Sequence, residues 1–551
     1  MMRHFPLLIS LLLILTLASA CEEEKPNRNP QISTLFVEWL GINPYTYTFE
    51  VIATDPDLDP LSYTWDFGNG EIRQGGRQET ATFDPDASYT VSVTVSDDRG
   101  GSASESAAIS TQTSEVSVDW GTSFQTIEGF GGFGAQNVYW SSGPFTSPGF
   151  VDLIVNDLGL TILRDNIPPS FEIQNDNDDP FLLDLDAFNL YDRYPGYDGP
   201  LGDHLQYLRD MKAAGVQTFI ASIWSPPAWM KANNSHTGTI SEAPDYNQTL
   251  NKLLPAYYEE FAEYCVAYVK MIKRECDIDV YALSIQNEPR FSQFYESCVY
   301  NPEAMRDVIK VVGRRFEAEG LQTQLFMPED LGWFDRVQDL VTVTLADDSA
   351  RNYADIIAVH GYALNGVDAN SPDAATWQTM YGWGAPHGKP LWMTETSGFE
   401  NNWDGALQLA QGMYTALRYG NISAWVYWSL STETPGNYSL VGGGQPGKQF
   451  YASKQFYRYI RPGALRAACN ATDSDVLPLA FQHPGNGSQT IVLINRAEIG
   501  KGIRLGGAGL APEFGAFRSS QSENCVALPA VSADQVIFLP AKSIMTLYKE
   551  N

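Results

Sequence analysis

A chain of 551 residues is too long for one ordinary domain and long enough to bury a large core, so roughly two to four domains are expected. Its composition is that of a folded protein, with 44% hydrophobic and 12% aromatic residues, 46 Gly and 32 Pro. Lys and Arg number 35 against 66 Asp and Glu, a formal charge of −31 that argues against a nucleic-acid partner, because phosphates would be repelled.

The first twenty residues, "MMRHFPLLISLLLILTLASA", join a basic start at Arg3 to an apolar run and small residues before Cys21, which predicts a cleaved secretory signal over 1–20. The run is too short for a convincing membrane span. "ASAC" followed by "EEEK" resembles a bacterial lipobox, and the acidic residues after the Cys resemble a surface-export signal of some Gram-negative bacteria. The resemblance implies lipidation of Cys21 and a membrane anchor at the outer membrane or cell surface. Cys265, Cys276, Cys298, Cys469 and Cys525 remain, an odd number in a compartment that permits disulfides, with Cys469 and Cys525 the best candidate pair.

Residues 21–30 are polar and Pro-containing, a tether with little capacity to fold. From 31 to 113, segments such as "YTYTFEVIATD" and "SYTVSVTVSDDRG" alternate apolar and polar residues between Gly, Asp and Pro turns, the pattern of a small immunoglobulin-like β-sandwich with Trp65 and Tyr89 in its core. "WDFGNG" followed by "YTVSVTVSD" resembles a polycystic-kidney-disease-type (PKD) domain, a kind of module that implies a spacer or weak binder beside an enzyme. Asp55, Asp57 and Asp59 in "DPDLD" offer oxygen ligands for a structural calcium ion; a plain acidic turn is the alternative.

Over 127–455, short apolar runs alternate with amphipathic stretches such as "DHLQYLRDMKAAG", where Asp203 is placed to cap, Leu205, Leu208 and Met211 share a face, and Gly215 can terminate. With "IEGFGGFGA" as the first, eight runs predict a (β/α)8 TIM barrel. The strand-like residues 115–126 and 456–551 predict a side β-sandwich attached to it. "GFGGFG" formally matches a dinucleotide turn, but turn residues follow where a helix should, so close backbone packing in the first barrel strand is the better account.

The fourth run, "YALSIQNEPRF", ends in Glu288 and the seventh, "PLWMTETSG", in Glu395. All strand ends of one barrel share its C-terminal face, so the two carboxylates can converge, as glycoside hydrolysis requires. Arg164 ends the second run, Trp224 and Trp229 follow the third in "IWSPPAWM", His360 and Tyr362 end the sixth, and Trp428 ends the eighth. Such a rim of aromatic and polar groups suits a sugar, with Asn287 placed for its 2-hydroxyl and Phe291 and Tyr295 for further stacking. Neither HExxH nor GxSxG stands at a strand end, and no Cys/His cluster suggests a catalytic metal.

"QTIEGFGGFGA", "SPPAWMK", "IQNEPRF", "VHGY" and "WMTET", in this order and followed by a β-sandwich, resemble glycoside hydrolase family 30 over about residues 115–551. The resemblance implies a retaining mechanism without a cofactor, Glu288 as acid/base, Glu395 as nucleophile, and a monomeric enzyme acting on polysaccharide. A β-1,4-xylan-type substrate cleaved internally is the first expectation, with β-1,6-glucanase, β-galactanase or exo-β-glycosidase activity as alternatives. Glucuronoxylanases of this family carry an Arg-rich loop after the eighth strand, whereas "YWSLSTETPGNYSLVGGG" has no Arg. The alternative from another class is a non-catalytic glycan-binding surface lipoprotein, against which the two carboxylates argue.

Overall fold

The computed structural model describes residues 26–42, 45–134, 149–190, 201–334, 336–367 and 373–550; the expected signal over 1–20, Cys21 and the start of the tether lie outside them. The chain forms two compact units, one ending at Ile109 and the other starting at Ser110.

In the first unit a three-stranded sheet (Gln31–Ile42, Tyr45–Thr54, Gln78–Phe83) and a four-stranded sheet (Ile72–Gly75, Leu61–Asp66, Ser88–Asp97, Ser102–Ser110) bury their apolar faces. Strand side chains alternate sides, so Phe49 and Val51 of one strand and Val91, Val93 and Val95 of another turn inward around the buried Trp65 and Phe67. Tyr89 is only half-buried, because it stands at the start of its strand; it packs 4.9 Å from Phe83 at the margin of the core. Asp55, Asp57 and Asp59 each bring a carboxylate oxygen within 4.8 Å of the others. Arg28 meets Asp57 at 2.7 Å and Arg99 meets Asp59 at 3.8 Å, while Asp55 Oδ2 is buried with no hydrogen-bond partner.

In the second unit the eight runs close into the expected parallel barrel: Gly129–Phe133, Ile162–Ile167, Thr218–Ile223, Val280–Ser284, Gln324–Leu331, Ala354–His360, Leu391–Thr396 and Ala424–Tyr427. The eighth strand pairs back with the first, Val426 opposite Gly131. A Cβ on Gly131 would stand 2.3 Å from the Ile162 carbonyl oxygen, which is why the first strand is glycine-rich. Ile162, Ile220, Ala282, Phe326, Ala358 and Trp392 fill the barrel interior. Two residues further along the second, third and fourth strands, on the same inward face, stand Arg164, Ser222 and Ser284, so the interior turns from apolar to polar toward the C-terminal ends.

The outer helices follow local rules. In Pro302–Ala318, Asn301 accepts the Ala304 N–H at 2.8 Å, Pro302 opens the first turn, and Met305, Val308, Ile309, Val312 and Phe316 form the buried stripe. Asp203 stands inside the first turn of the helix Leu201–Ala214 and not before it, where a capping residue would stand; Leu205, Leu208 and Met211 are buried and Gly215 follows at φ +114°. A nine-stranded sheet places Thr113–Thr126 between Leu465–Ala471 and Lys501–Gly506, so strands from both ends of the barrel segment share one sheet. Cys469 and Cys525 do not pair: Cys469 sits in that sheet opposite Val118, Cys525 lies 3.8 Å from the Tyr459 hydroxyl, and all five described cysteines are free and buried. Among the described residues no helix is long and apolar enough to cross a membrane.

Candidate active site

The strand ends bring Glu288, His360 and Glu395 together: one carboxylate oxygen of each Glu and a ring nitrogen of His360 all lie within 4.8 Å of one another. Pairing of the sixth and seventh strands sets His360 opposite Glu395. His360 Nδ1 is 3.2 Å from Glu288 Oε1 and 3.9 Å from Glu395 Oε2. The Tyr362 hydroxyl donates to Glu395 Oε1, and Arg164 Nη1 donates to Glu395 Oε2 at 2.6 Å.

Arg164 is fully buried and spends its donors on the site: Nε to Ser222 Oγ at 3.1 Å, and Nη2 to Asn287 Oδ1 and Glu329 Oε1, each at 2.7 Å. Its guanidinium lies over the Trp224 ring at 4.9 Å, and Trp224 packs against Phe133 and Trp428. Trp224 is thus mostly consumed in supporting Arg164 by a cation–π contact. Trp229 packs edge-on against Tyr257 at 5.2 Å, apart from the carboxylates' contacts. Trp428 and Tyr295 are half-buried beside the same aromatic group, and half-buried Phe291 lies 6.2 Å from Phe334.

The sequence reading did not single out Glu329, although the fifth run, "TQLFMPE", ends in it. Glu329 is fully buried, accepts from Ser222 Oγ at 2.9 Å, pairs with Arg164, and stands 3.6 Å from His360 Nε2. Its carbonyl accepts the Glu288 N–H at 2.9 Å. Both glutamates hold left-handed backbone, φ +46° at Glu288 and +59° at Glu329, the kind of strain that persists where surrounding contacts over-determine it. The buried Asp330 carboxylate accepts the Arg290 N–H at 2.9 Å, and burial, followed by the Glu288 charge, pushes its pKa up to about 7.

The electrostatics of the cluster act on Glu288, His360 and Glu329. Burial raises the pKa of Glu288; His360 opposes this, and the Glu395 charge adds to the rise. Burial disfavours charge on His360, yet Glu395, Glu288 and Glu329 raise it to about 10. Burial would also raise Glu329, but Arg164 and His360 bring it below the ordinary glutamate value. With Glu288 protonated, the anions of Glu329 and Glu395 balance Arg164 and an imidazolium at His360, so the buried cluster is neutral only when Glu288 carries a proton. One oxygen of Glu288 lies within 4.8 Å of one of Glu395, the close approach of a nucleophile and an acid/base and too tight to hold the intervening water of inverting enzymes.

The raised Glu288 predicts an alkaline limb of kcat/KM lying above the ordinary glutamate range, because activity is lost as pH rises through its pKa. Glu329→Gln removes one anion, which makes ionised Glu288 easier to hold, so the limb should move to lower pH. A pH–rate series on both proteins checks the sign.

The glycosyl hydrolase family 30 TIM-barrel domain matches residues 175–461, just over half of the chain, and a PKD domain matches 39–112. The chain is similar to glucuronoxylanase XynC of Bacillus subtilis (strain 168), 25% identical over 288 residues, covering 51% of this chain and 60% of that protein. It is also similar to the endo-1,6-beta-D-glucanase of Neurospora crassa, 25% identical over 312 residues, covering 51% of this chain and 58% of that one. It thus spans less than two thirds of either curated relative. Among solved structures, the family 30 subfamily 8 xylanase Xyn30A from Clostridium acetobutylicum superposes with a TM-score of 0.61 at 25% identity, covering 79% of this chain and 100% of that chain. Barrel, domain order and matched sequence agree: the chain belongs to glycosyl hydrolase family 30, a retaining family, and carries a PKD domain before its barrel.

Proposed function

We propose that the chain hydrolyses a β-linked polysaccharide by double displacement, and the observation that carries this reading is the close pair of Glu288, whose pKa burial raises, and Glu395, which accepts from Arg164 and Tyr362. In the first step a Glu395 oxygen bonds to the anomeric carbon while the glycosidic bond breaks and Glu288 gives its proton to the departing oxygen. In the second, Glu288 takes a proton from water, which attacks the anomeric carbon and releases Glu395. Arg164 and Tyr362 hold Glu395 in place as the attacking anion, and Asn287, itself oriented by Arg164, meets the sugar's 2-hydroxyl. Trp428, Tyr295 and Phe291 supply the stacking surface.

Internal cleavage of a β-1,4-xylan-type chain is the first substrate reading, supported by the likeness to XynC and Xyn30A and by exposed Phe294 beside Tyr295, which extends the aromatic surface past one sugar. The absence of Arg in the loop after the eighth strand argues against a glucuronate grip there. The likeness to the Neurospora crassa enzyme favours β-1,6-glucan as the second reading. Digestion of xylan, β-1,6-glucan and galactan with sizing of the products tests both: short oligomers from xylan alone support the first, and no reducing-sugar release from any β-glycan would leave a binding protein.

Two further readings rest on sequence and local geometry. Lipidation of Cys21, anchoring the chain at the outer membrane or cell surface, is supported by "ASACEEE", and loss of labelled-lipid incorporation in Cys21→Ala tests it. A structural calcium at Asp55, Asp57 and Asp59 is supported by the unpartnered Asp55 Oδ2 and opposed by the two arginines at its neighbours; calcium titration of Asp55→Asn against the unaltered chain tests it.

A further inference from the structure

A cavity of about 450 Å³, ordinary for a small-ligand site, lies among the segments that follow the third, fourth and fifth barrel strands. Tyr246, Tyr300 and Asn301 line it together with two arginines, Arg290 and Arg336. In a chain with 35 basic against 66 acidic residues, two guanidinium groups on one cavity reverse the prevailing charge locally.

Arg290 is 6% exposed, and its Nε and Nη1 are buried without a hydrogen-bond partner. The neighbouring carboxylates do not take up these donors. Glu242 Oε1 stands 3.7 Å from Nη2, beyond hydrogen-bond reach, and its side chain is more than half exposed. Asp330 spends one oxygen on the Arg290 backbone N–H at 2.9 Å and the other on the Leu331 N–H at 2.7 Å. Asp245, which lines the cavity, is turned onto its own loop, accepting the Asn247 N–H at 2.9 Å and the Gln248 side-chain amide at 2.8 Å. The Phe334 ring, 5.4 Å from the Arg290 guanidinium, holds it in place. A buried guanidinium with unspent donors is costly unless an acceptor reaches it, and an oxyanion is the acceptor that also answers its charge.

The cavity adjoins the acid/base. Arg290 lies two residues past Glu288, its carbonyl accepts the Ala243 N–H at 2.6 Å, and Ser241–Glu242 pairs with Phe291–Ser292, so the cavity wall is built on the strand end that carries Glu288. The acid/base serves the departing oxygen, and the glycan nearest to it is the part that leaves. We propose that Arg290 and Arg336 bind an oxyanion, a carboxylate or a sulfate ester, carried by the departing part of the glycan; this rests on the reading of the chain as a polysaccharide hydrolase. The site selects acidic glycans and takes no part in bond breaking.

The test is affinity electrophoresis of the full chain with Glu395→Gln, which prevents digestion, at fixed ionic strength. The gels contain glucuronoxylan or its carboxyl-reduced form, and a sulfated β-galactan or its desulfated form. One acidic glycan should bind roughly tenfold or more tighter than its neutral counterpart, the worth of one or two charge-assisted hydrogen bonds. Adding Arg290→Gln should bring that ratio to within about twofold of unity, and adding Arg336→Gln should cut it about threefold or more, with binding of the neutral glycan unchanged in both. Should Arg290→Gln fail to fold, the exposed Arg336 decides. Preference within the xylan pair assigns a carboxylate, and preference within the galactan pair assigns a sulfate ester. No preference in either pair, or a preference that the variants keep, would overturn the proposal. Digestion by the unaltered chain is read separately: cleavage of a neutral glycan without acidic preference removes the oxyanion site alone, and acidic preference without any cleavage removes the hydrolase reading and keeps the site.

Discussion

Glu395→Gln should lower kcat by roughly 10⁴-fold or more on every substrate the enzyme accepts, with the fold intact, because the amide cannot form the glycosyl bond on which both steps depend. Glu288→Gln should behave differently. Its loss should be about 10²–10⁴-fold on a natural glycan, whose departing oxygen needs a proton, and much smaller for the first step on an aryl glycoside with a good leaving group. Azide should restore turnover to a Glu288→Ala variant by taking the place of activated water, yielding a β-glycosyl azide. The two variants must be compared on both substrate types, since the contrast between them assigns the roles. If both retained activity within tenfold of the parent, the assignment would be wrong.

The second large effect concerns Arg164. It is fully buried and touches Glu395, Glu329, Asn287 and Ser222, so Arg164→Met leaves two buried carboxylates with only the His360 imidazolium to balance them. Breaking one member of a buried ionic group costs about 3–5 kcal/mol, and melting should fall accordingly. Adding Glu329→Gln removes one of the stranded charges, so the double variant should regain part of that stability without regaining activity. A double-mutant cycle on melting temperature and kcat/KM separates the two. Equal melting temperatures for Arg164→Met and the unaltered chain would contradict the view that Arg164 neutralises the cluster.

Much of this site was legible in the sequence, because a barrel turns strand ends into a shared surface. Once eight apolar runs were counted, Glu288, Glu395, His360 and Arg164 had to face one another, and they do. The aromatic residues were less legible. A Trp at a strand end can stack on a sugar or support a buried cation, and Trp224 chiefly supports Arg164, a choice that only three-dimensional packing makes. Glu329 escaped notice because Pro328 before it reads as the end of a strand; a third strand-end carboxylate was the available signal. The cysteine pairing failed for a simpler reason: Cys469 and Cys525 belong to the same β-rich region, but residence in one region does not bring two sulfurs within bonding reach.

The most direct test of the central claim is mass spectrometry of the protein after exposure to activated 2-deoxy-2-fluoro β-glycosides of xylose, glucose, galactose and fucose, which slow release of the glycosyl-enzyme. A mass gain of one fluoroglycosyl unit, located on the peptide containing Glu395, is the expected result, and it should disappear in Glu395→Gln. A hydrolytically active chain that forms no adduct with the fluoro analogue of the sugar it cleaves, or that carries the label on another residue, would contradict the account.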